Sequence, residues 1–574
     1  MDSVLLMTSC NFKKDSQLNG LFLVVVFIYV LLHCEQSYAL SWTMIPSVQT
    51  QEIYSDNINL APSGSEKSAF VTSVNPGFSI NGQSARSTMN FNYRMQNLYN
   101  AGGNNGLSIY NQLQSNSHNV LLPNKFFIDS NSSISQQNIN NNLIGTSNIN
   151  GSNNNTTVYN FGISPYWTPR FANYASGIAR MNFNTIATGG GNTANNTNIN
   201  SISDSFNLAE TINLQSGSYF QRINWNFSFN NNENYRINSP TISFQNTNGR
   251  IGIPINAYFN VFTQGGYSNN NYQSNSINNN GNTNTGAYYT VGGQWRPSQR
   301  FNITAGAGNN SFVTVFASPM PRITTTTTYS NNAVGTNFGQ YSPGNATGNT
   351  GQNSQATGGG NAGQNSPATG GGNSGQNWTM AWKYQARRSS WTLTHNNTTT
   401  TSQQILSQNQ IVPAENLANN LISNSDLNQR IINNPSLTNQ VIVTKTWNLA
   451  SSFTPGKSTF SANIYADDYT YQTVGNNQNV IGLSSSWIWP FASKTSGYLR
   501  PQWQHIENQG TTNNSQYYTI AIGINRTFTS RLNGVLEFRH MNQTSNGNEN
   551  NVQLDGLTND YQENRVTASL FMRF

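Results

Sequence analysis

Hydrophobic and polar residues alternate along most of this chain. The closing stretch RVTASLFMRF puts Val566, Ala568, Leu570, Met572 and Phe574 on one side of an extended backbone and Arg565, Thr567, Ser569 and Arg573 on the other. Phe571 is the exception. Period two is the mark of a strand whose faces meet different surroundings. Residues 87–99 repeat it, with Met89, Phe91, Tyr93 and Met95 against Asn90, Asn92, Arg94 and Gln96. So do 219–231 (Trp225, Phe227 and Phe229 against Arg222, Asn224 and Asn226), 378–385 (Trp378, Met380, Trp382 and Tyr384 against Lys383) and 518–526 (Tyr518, Ile520, Ile522 and Ile524). Two stretches, 201–215 and 235–247, alternate weakly, and in the first Glu210 falls on the apolar face of Phe206, Leu208, Ile212 and Leu214.

The breaks between these segments are of two kinds. Gly, Pro, Ser and Asn place tight turns at 83–86, 122–124, 168–171, 216–218, 248–250, 297–299, 387–389, 454–457, 490–493 and 527–530. Between them lie longer Asn-rich connections at 138–156, 264–285, 317–377 and 546–561. Short turns on one rim and long loops on the other predict an all-β fold, a transmembrane antiparallel up-and-down β-barrel with about 22 strands, in the range of roughly 18–24. Alternate side chains then face lipid and lumen, and closure leaves no backbone group unpaired in hydrocarbon.

The N-terminus supports export. Lys13 and Lys14 precede the apolar run LFLVVVFIYVLL and the small-residue site Ser37-Tyr38-Ala39, which reads as a signal peptide over 1–39 with the barrel over 40–574. The alternatives are a signal anchor and, through Cys34, a lipoprotein, for which His33 is a poor neighbour. Cleavage after Ala39 removes both cysteines, Cys10 and Cys34, and with them any disulfide or cysteine metal site. That localises the mature chain to a bacterial outer membrane.

Composition refines the picture. Only 8% of residues are charged while 11% are aromatic, which separates the chain from a plain disordered tract. The formal charge of +7 becomes 25 bases against 17 acids after cleavage, but these bases are spread singly along the sequence, so nucleic acid is not an expected partner. The longest loop holds a tandem repeat, GQNSQATGGGNA followed by GQNSPATGGGNS over 351–374, too polar to build a core and read as a surface insertion. Residues 402–437 contain PAENLANNLISNSDLNQRI, whose helix-compatible composition fits a short helix in a loop or folded into the pore.

Several stretches resemble the PEP-CTERM system-associated outer-membrane protein family: SWTMIPSVQTQEIYSDNINLAP, SVNPGFSINGQ, GGQWRPSQRFNITAGAG, ARRSSWTLTHNNTTTTSQ and DYQENRVTASLFMRF. The resemblance spans both ends and the middle of the chain and leaves out the Asn/Gly-rich insertions. It implies a Gram-negative outer-membrane barrel associated with exosortase sorting and exopolysaccharide production, with exopolysaccharide or its export proteins as partners. It supplies no catalytic residue and no cofactor.

The inward phase of the strands collects Arg94, Arg180, Arg222, Lys383, Arg500, Arg539, Arg565 and Arg573, with Glu537 as the one acid placed beside them. Fixed cations in a low-dielectric wall concentrate anions, so a pore for anionic solutes or glycan is the sharper expectation. The competing one is a set of arginines at several depths, bonded into the wall, in a barrel that serves as a surface scaffold. Trp42, Trp378, Trp487, Trp489 and Tyr498 fall near strand ends, as an interfacial girdle requires. Val566, Ala568, Leu570, Met572 and Phe574 resemble a carboxyl-terminal signal for the barrel-assembly machinery. His118, His395, His505 and His540 lie in separate strands and no HExxH, GxSxG or P-loop occurs, so no enzyme is expected.

Overall fold

The computed structural model describes residues 41–574 except 103–105, 140–146, 151–153, 190–201, 221, 238, 273–281, 299, 311–374, 410–434, 472–476, 510–513 and 547–559. The predicted signal peptide and the tandem repeat therefore lie outside the described residues, as does most of the 402–437 segment.

A single antiparallel sheet of 23 segments accounts for nearly all the rest. One of them, Arg170–Phe171, is a two-residue flap at the short rim; the other 22 form the wall. Each wall strand pairs with its sequence neighbours, and the first, Ser41–Ser55, pairs with the last, Tyr561–Arg573, from Ser47↔Arg573 to Ser55↔Arg565. The main chain locks the seam further, because the Phe574 amide donates to the Pro46 carbonyl at 3.0 Å. Closure removes the two sheet edges, the condition for a β-structure to cross hydrocarbon.

Connections fall on alternate rims largely as the turn chemistry predicts, with two corrections. The long connection expected at 264–285 shrinks to 273–281, because its flanks pair within the strands Phe259–Tyr272 and Asn282–Ser298. Residues 248–250 are not a turn: Asn248, Gly249 and Arg250 sit inside the strand Ile242–Pro254, hydrogen-bonded on both sides, and the turn falls at 255–258. Of the weakly alternating stretches, 201–215 contains most of the strand Ser205–Ser216, and 235–247 spans the end of Asn224–Arg236 and the start of Ile242–Pro254. The start of the strand Ser41–Ser55, the end of the strand Tyr561–Arg573 and the short turns share one rim, which in this architecture is periplasmic.

The outer surface carries an apolar belt on the short-turn side. Counting outward residues from that rim, the last strand presents Phe574, Met572, Leu570, Ala568 and Val566 before Asn564 and Gln562; the strand Asn514–Thr527 presents Arg526 at the rim, then Ile524, Ile522, Ile520 and Tyr518 before Gln516. Beyond the belt the outward residues turn polar, so the strands rise past the hydrocarbon. Glu210 interrupts an apolar outward row, with Leu208 and Phe206 farther from the short rim and Ile212 and Leu214 nearer to it. It faces outward with Phe206 and Ile212, and Asn231 on the next strand donates to it at 3.4 Å.

Candidate functional site: the barrel lumen

With 22 strands, wall side chains alone cannot fill the interior. The inner face is mostly Asn, Gln, Ser and Thr, each long enough to bond across a strand: Gln51 to Ser569 at 3.1 Å, Gln112 to Gln136 at 3.2 Å, Asn207 to Asn232 at 3.2 Å. Tyr465 and Tyr498 lie flat over glycines of the neighbouring strand. A Cβ at Gly482 or Gly523 would stand 2.2 or 2.3 Å from the ring, so glycine is required at both.

Charge is concentrated on the strands nearest the closing seam. Register sets Arg500, Ala521, Arg539 and Arg565 at one level on four successive strands, followed by Ser55 on the first. Arginines directly opposite one another repel, and each is held by acids one step along the same face. Arg539 donates to Glu537 at 2.7 Å, and Tyr498 donates to the other Glu537 oxygen at 2.6 Å. Arg565 forks onto both Glu563 oxygens at 3.0 Å, while the Ser55 hydroxyl meets Glu563 at 2.5 Å. Arg500 stacks on Tyr498, 4.2 Å from its centroid. A second cluster lies elsewhere on the wall, where Asp129 takes Arg180 at 3.0 Å and His118 Nδ1 at 2.6 Å, with Arg180 over Tyr166.

The other predicted cations are dispersed. Arg94 faces inward but meets only amides, donating to Gln49 and Gln112 at 2.9 Å. Lys383 is inward and exposed near the short rim, and Arg573 lies inward there beside the buried Phe571. Arg222 is a correction: it sits exposed in the connection 217–223, because the strand begins only at Asn224. Tyr498 is another, being lumenal and 3% exposed rather than interfacial. Trp42 and Trp487 do face outward at the short rim, and the Trp378 side chain lies outside the described residues. Val566, Ala568, Leu570, Met572 and Phe574 all face outward.

Further inward charged residues escaped the sequence reading, Arg236 among them, which donates to the Pro240 carbonyl at 2.9 Å. Arg250, mistaken for a turn residue, lies on the inner wall over the Phe262 ring at 3.7 Å. Asp129, Asp467 and Glu563 are inward and buried. Strict alternation from Phe571 back to Tyr561 was the available signal for Glu563.

Loop segments fold into the outer end. The helix Ser402–Asn409 follows the strand Ser389–Thr401, whose pairing with Gly375–Gln385 stops at Met380↔His395. From there the chain crosses the lumen: Leu406 and Leu437 pack on Val158 and Ile186 of the far wall, Gln404 donates to Asn232 at 2.9 Å, and Asn234 donates to Thr401 at 3.3 Å. Ile58 packs with Ile149, Val71 and Leu98, and Asn150 joins that loop to Arg565 at 3.1 Å. Inward residues are accordingly buried in the outer half, whereas Asn90, Asn92, Gln294, Asn302 and Ser461 near the short rim stay half-buried. Among the described residues no three metal-ligating side chains converge.

No protein-family model and no curated protein matches the chain. Among solved structures it is similar to the FrpB iron transporter from Neisseria meningitidis (TM-score 0.49, 8% identity, 92% of this chain and 82% of that one). It is also similar to the siderophore receptor PirA from Acinetobacter baumannii (0.44, 8%, 92% and 80%) and to a loop-deletion variant of OmpT, an outer membrane protein of Vibrio cholerae (0.29, 6%, 94% and 100%). Closure of the wall, the apolar belt and the polar interior make this chain a transmembrane barrel of the outer-membrane type.

Proposed function

We propose that the barrel is a channel component for anionic solutes or glycan, open to the periplasm and constricted toward the outside by its own loops. The observation that carries this reading is the uneven filling of the lumen: a polar wall that stays accessible near the short turns, under a cover of loop segments rather than a wall-to-wall core. Segments held by a few leucines and amide bonds are displaceable in a way that the sheet is not. Purified protein in planar bilayers is expected to show discrete current steps, and Leu406→Asp, which puts a charge against Val158 and Ile186, is expected to raise their frequency.

The pairing of Glu537 and Glu563 with arginine favours a second reading, a closed barrel serving as a surface scaffold. Absence of current in both the wild type and the Leu406→Asp variant would select it. The association with an exosortase and exopolysaccharide system rests on the sequence resemblance alone. A chromosomal deletion that left surface polysaccharide unchanged would remove that part of the proposal.

A further inference from the structure

The bases that look scattered in the sequence converge in space. Every connection at the rim where the last strand ends, except 255–258, carries Lys or Arg, among them Arg86, Lys125, Arg170, Arg300, Arg388 and Lys494, and all of these are exposed. None of the short connections contains Asp or Glu. The long connections reverse the balance, with Asp56, Glu66, Asp204 and Asp560 against Lys67 among the described residues. One rim of the molecule is therefore a belt of positive charge running around its circumference.

A second observation fixes the height of that belt. Trp167, Phe171, Tyr219, Trp295, Trp487 and Phe528 are large, exposed and at the same rim, immediately below the apolar band. Amphipathic rings at such a position mark the interface between hydrocarbon and headgroups. The cations thus stand at the level of lipid phosphates in the periplasmic leaflet.

We infer that the periplasmic rim binds the headgroups of anionic phospholipids and gathers them into an annulus around the barrel. Circumferential spacing is what favours lipid: a protein partner or a single polymer strand would need a patch on one side, whereas lipid surrounds a barrel on all sides. Each Lys or Arg near an anionic surface adds a small attraction that fades within a Debye length, so the effect is the sum of many weak contacts and is sensitive to salt. The inference rests on the transmembrane placement of the barrel and is independent of whether it conducts.

The test uses the full-length barrel in phosphatidylcholine vesicles doped with spin-labelled phosphatidylglycerol or spin-labelled phosphatidylcholine, comparing the motionally restricted fraction of each by electron paramagnetic resonance. The expected result is about a threefold preference for phosphatidylglycerol at low salt, shrinking in 0.5 M salt (roughly a 4 Å Debye length). The combined variant R86Q/K125Q/R170Q/R300Q/R388Q/K494Q, checked for folding by its heat-modifiable migration, should lose most of the preference, and the corresponding Arg→Lys variant should keep it. Equal affinity for the two lipids in the wild type, or an unchanged preference in the folded neutral variant, overturns the inference. So does a rim that captures soluble polygalacturonate while showing no lipid preference, which would assign it to polymer.

Discussion

Arg565 is 1% exposed and Glu563 is fully buried, two charges removed from water on a wall lined mostly by neutral amides and hydroxyls. Such a pair stabilises little in net terms, because desolvation offsets its attraction, but breaking it leaves a bare buried charge. Glu563→Gln should therefore lower stability by about 3 kcal/mol, and Glu563→Gln combined with Arg565→Met should recover most of the loss. Urea unfolding of the reconstituted barrel measures both, and a double variant as unstable as the single would show that the arginine is held by Asn150 and the loop instead. Gly523 makes the complementary case for shape. A side chain there meets the Tyr498 ring, so Gly523→Val should displace it from Glu537 and cost about 1–3 kcal/mol. Neither residue was legible as special beforehand. Alternation told which face Glu563 takes, but pairing with Arg565, Ser55 and Asn150 depends on register and on loops that only the closed barrel brings near.

At the scale of elements, the sequence is readable wherever two solvents select two faces. The last strand is the clearest instance, since lipid on one side and lumen on the other force each of its residues into one role. Signals fail where that contrast fades. Glu210 breaks the outward row of Phe206, Leu208, Ile212 and Leu214, Asn231 and Glu233 follow Trp225, Phe227 and Phe229 on the next strand, and Asn248-Gly249-Arg250 reads as a turn on local chemistry although ladders on both sides hold it extended. The misplaced turn concealed Arg250, and alternation followed back to Tyr219 drew Arg222 into a strand that begins only at Asn224. For the closing element the structure adds a function to a pattern. Phe574 is 59% exposed to the lipid side, and its amide is bonded to Pro46 on the first strand, so it stands where the seam must close. Phe574→Ser should slow membrane insertion severalfold without altering the strand content of molecules that do insert. Time-resolved heat-modifiable migration after refolding into vesicles reads this, and an unchanged rate would mean that the outward row ending at Met572 suffices.

For the whole molecule, ion preference follows from the sum of inward charges rather than from any list of arginines. Arg180, Arg539 and Arg565 each have a carboxylate within 3.0 Å and contribute little net field. Arg94, held by Gln49 and Gln112, and Arg250, laid on Phe262, have no carboxylate among the described residues. These two are sources of uncompensated charge on the wall, and a cation flanked by low-dielectric material concentrates anions locally. Arg94→Gln and Arg250→Gln should each reduce the chloride-to-potassium permeability ratio about twofold in a potassium chloride gradient. Glu537→Gln should act in the opposite direction, because it uncovers Arg539. Reversal potentials in planar bilayers separate these outcomes: if Arg94→Gln and Glu537→Gln shift the potential in the same sense, selectivity is set at the charged mouth near Lys383 and the paired wall has no part in it.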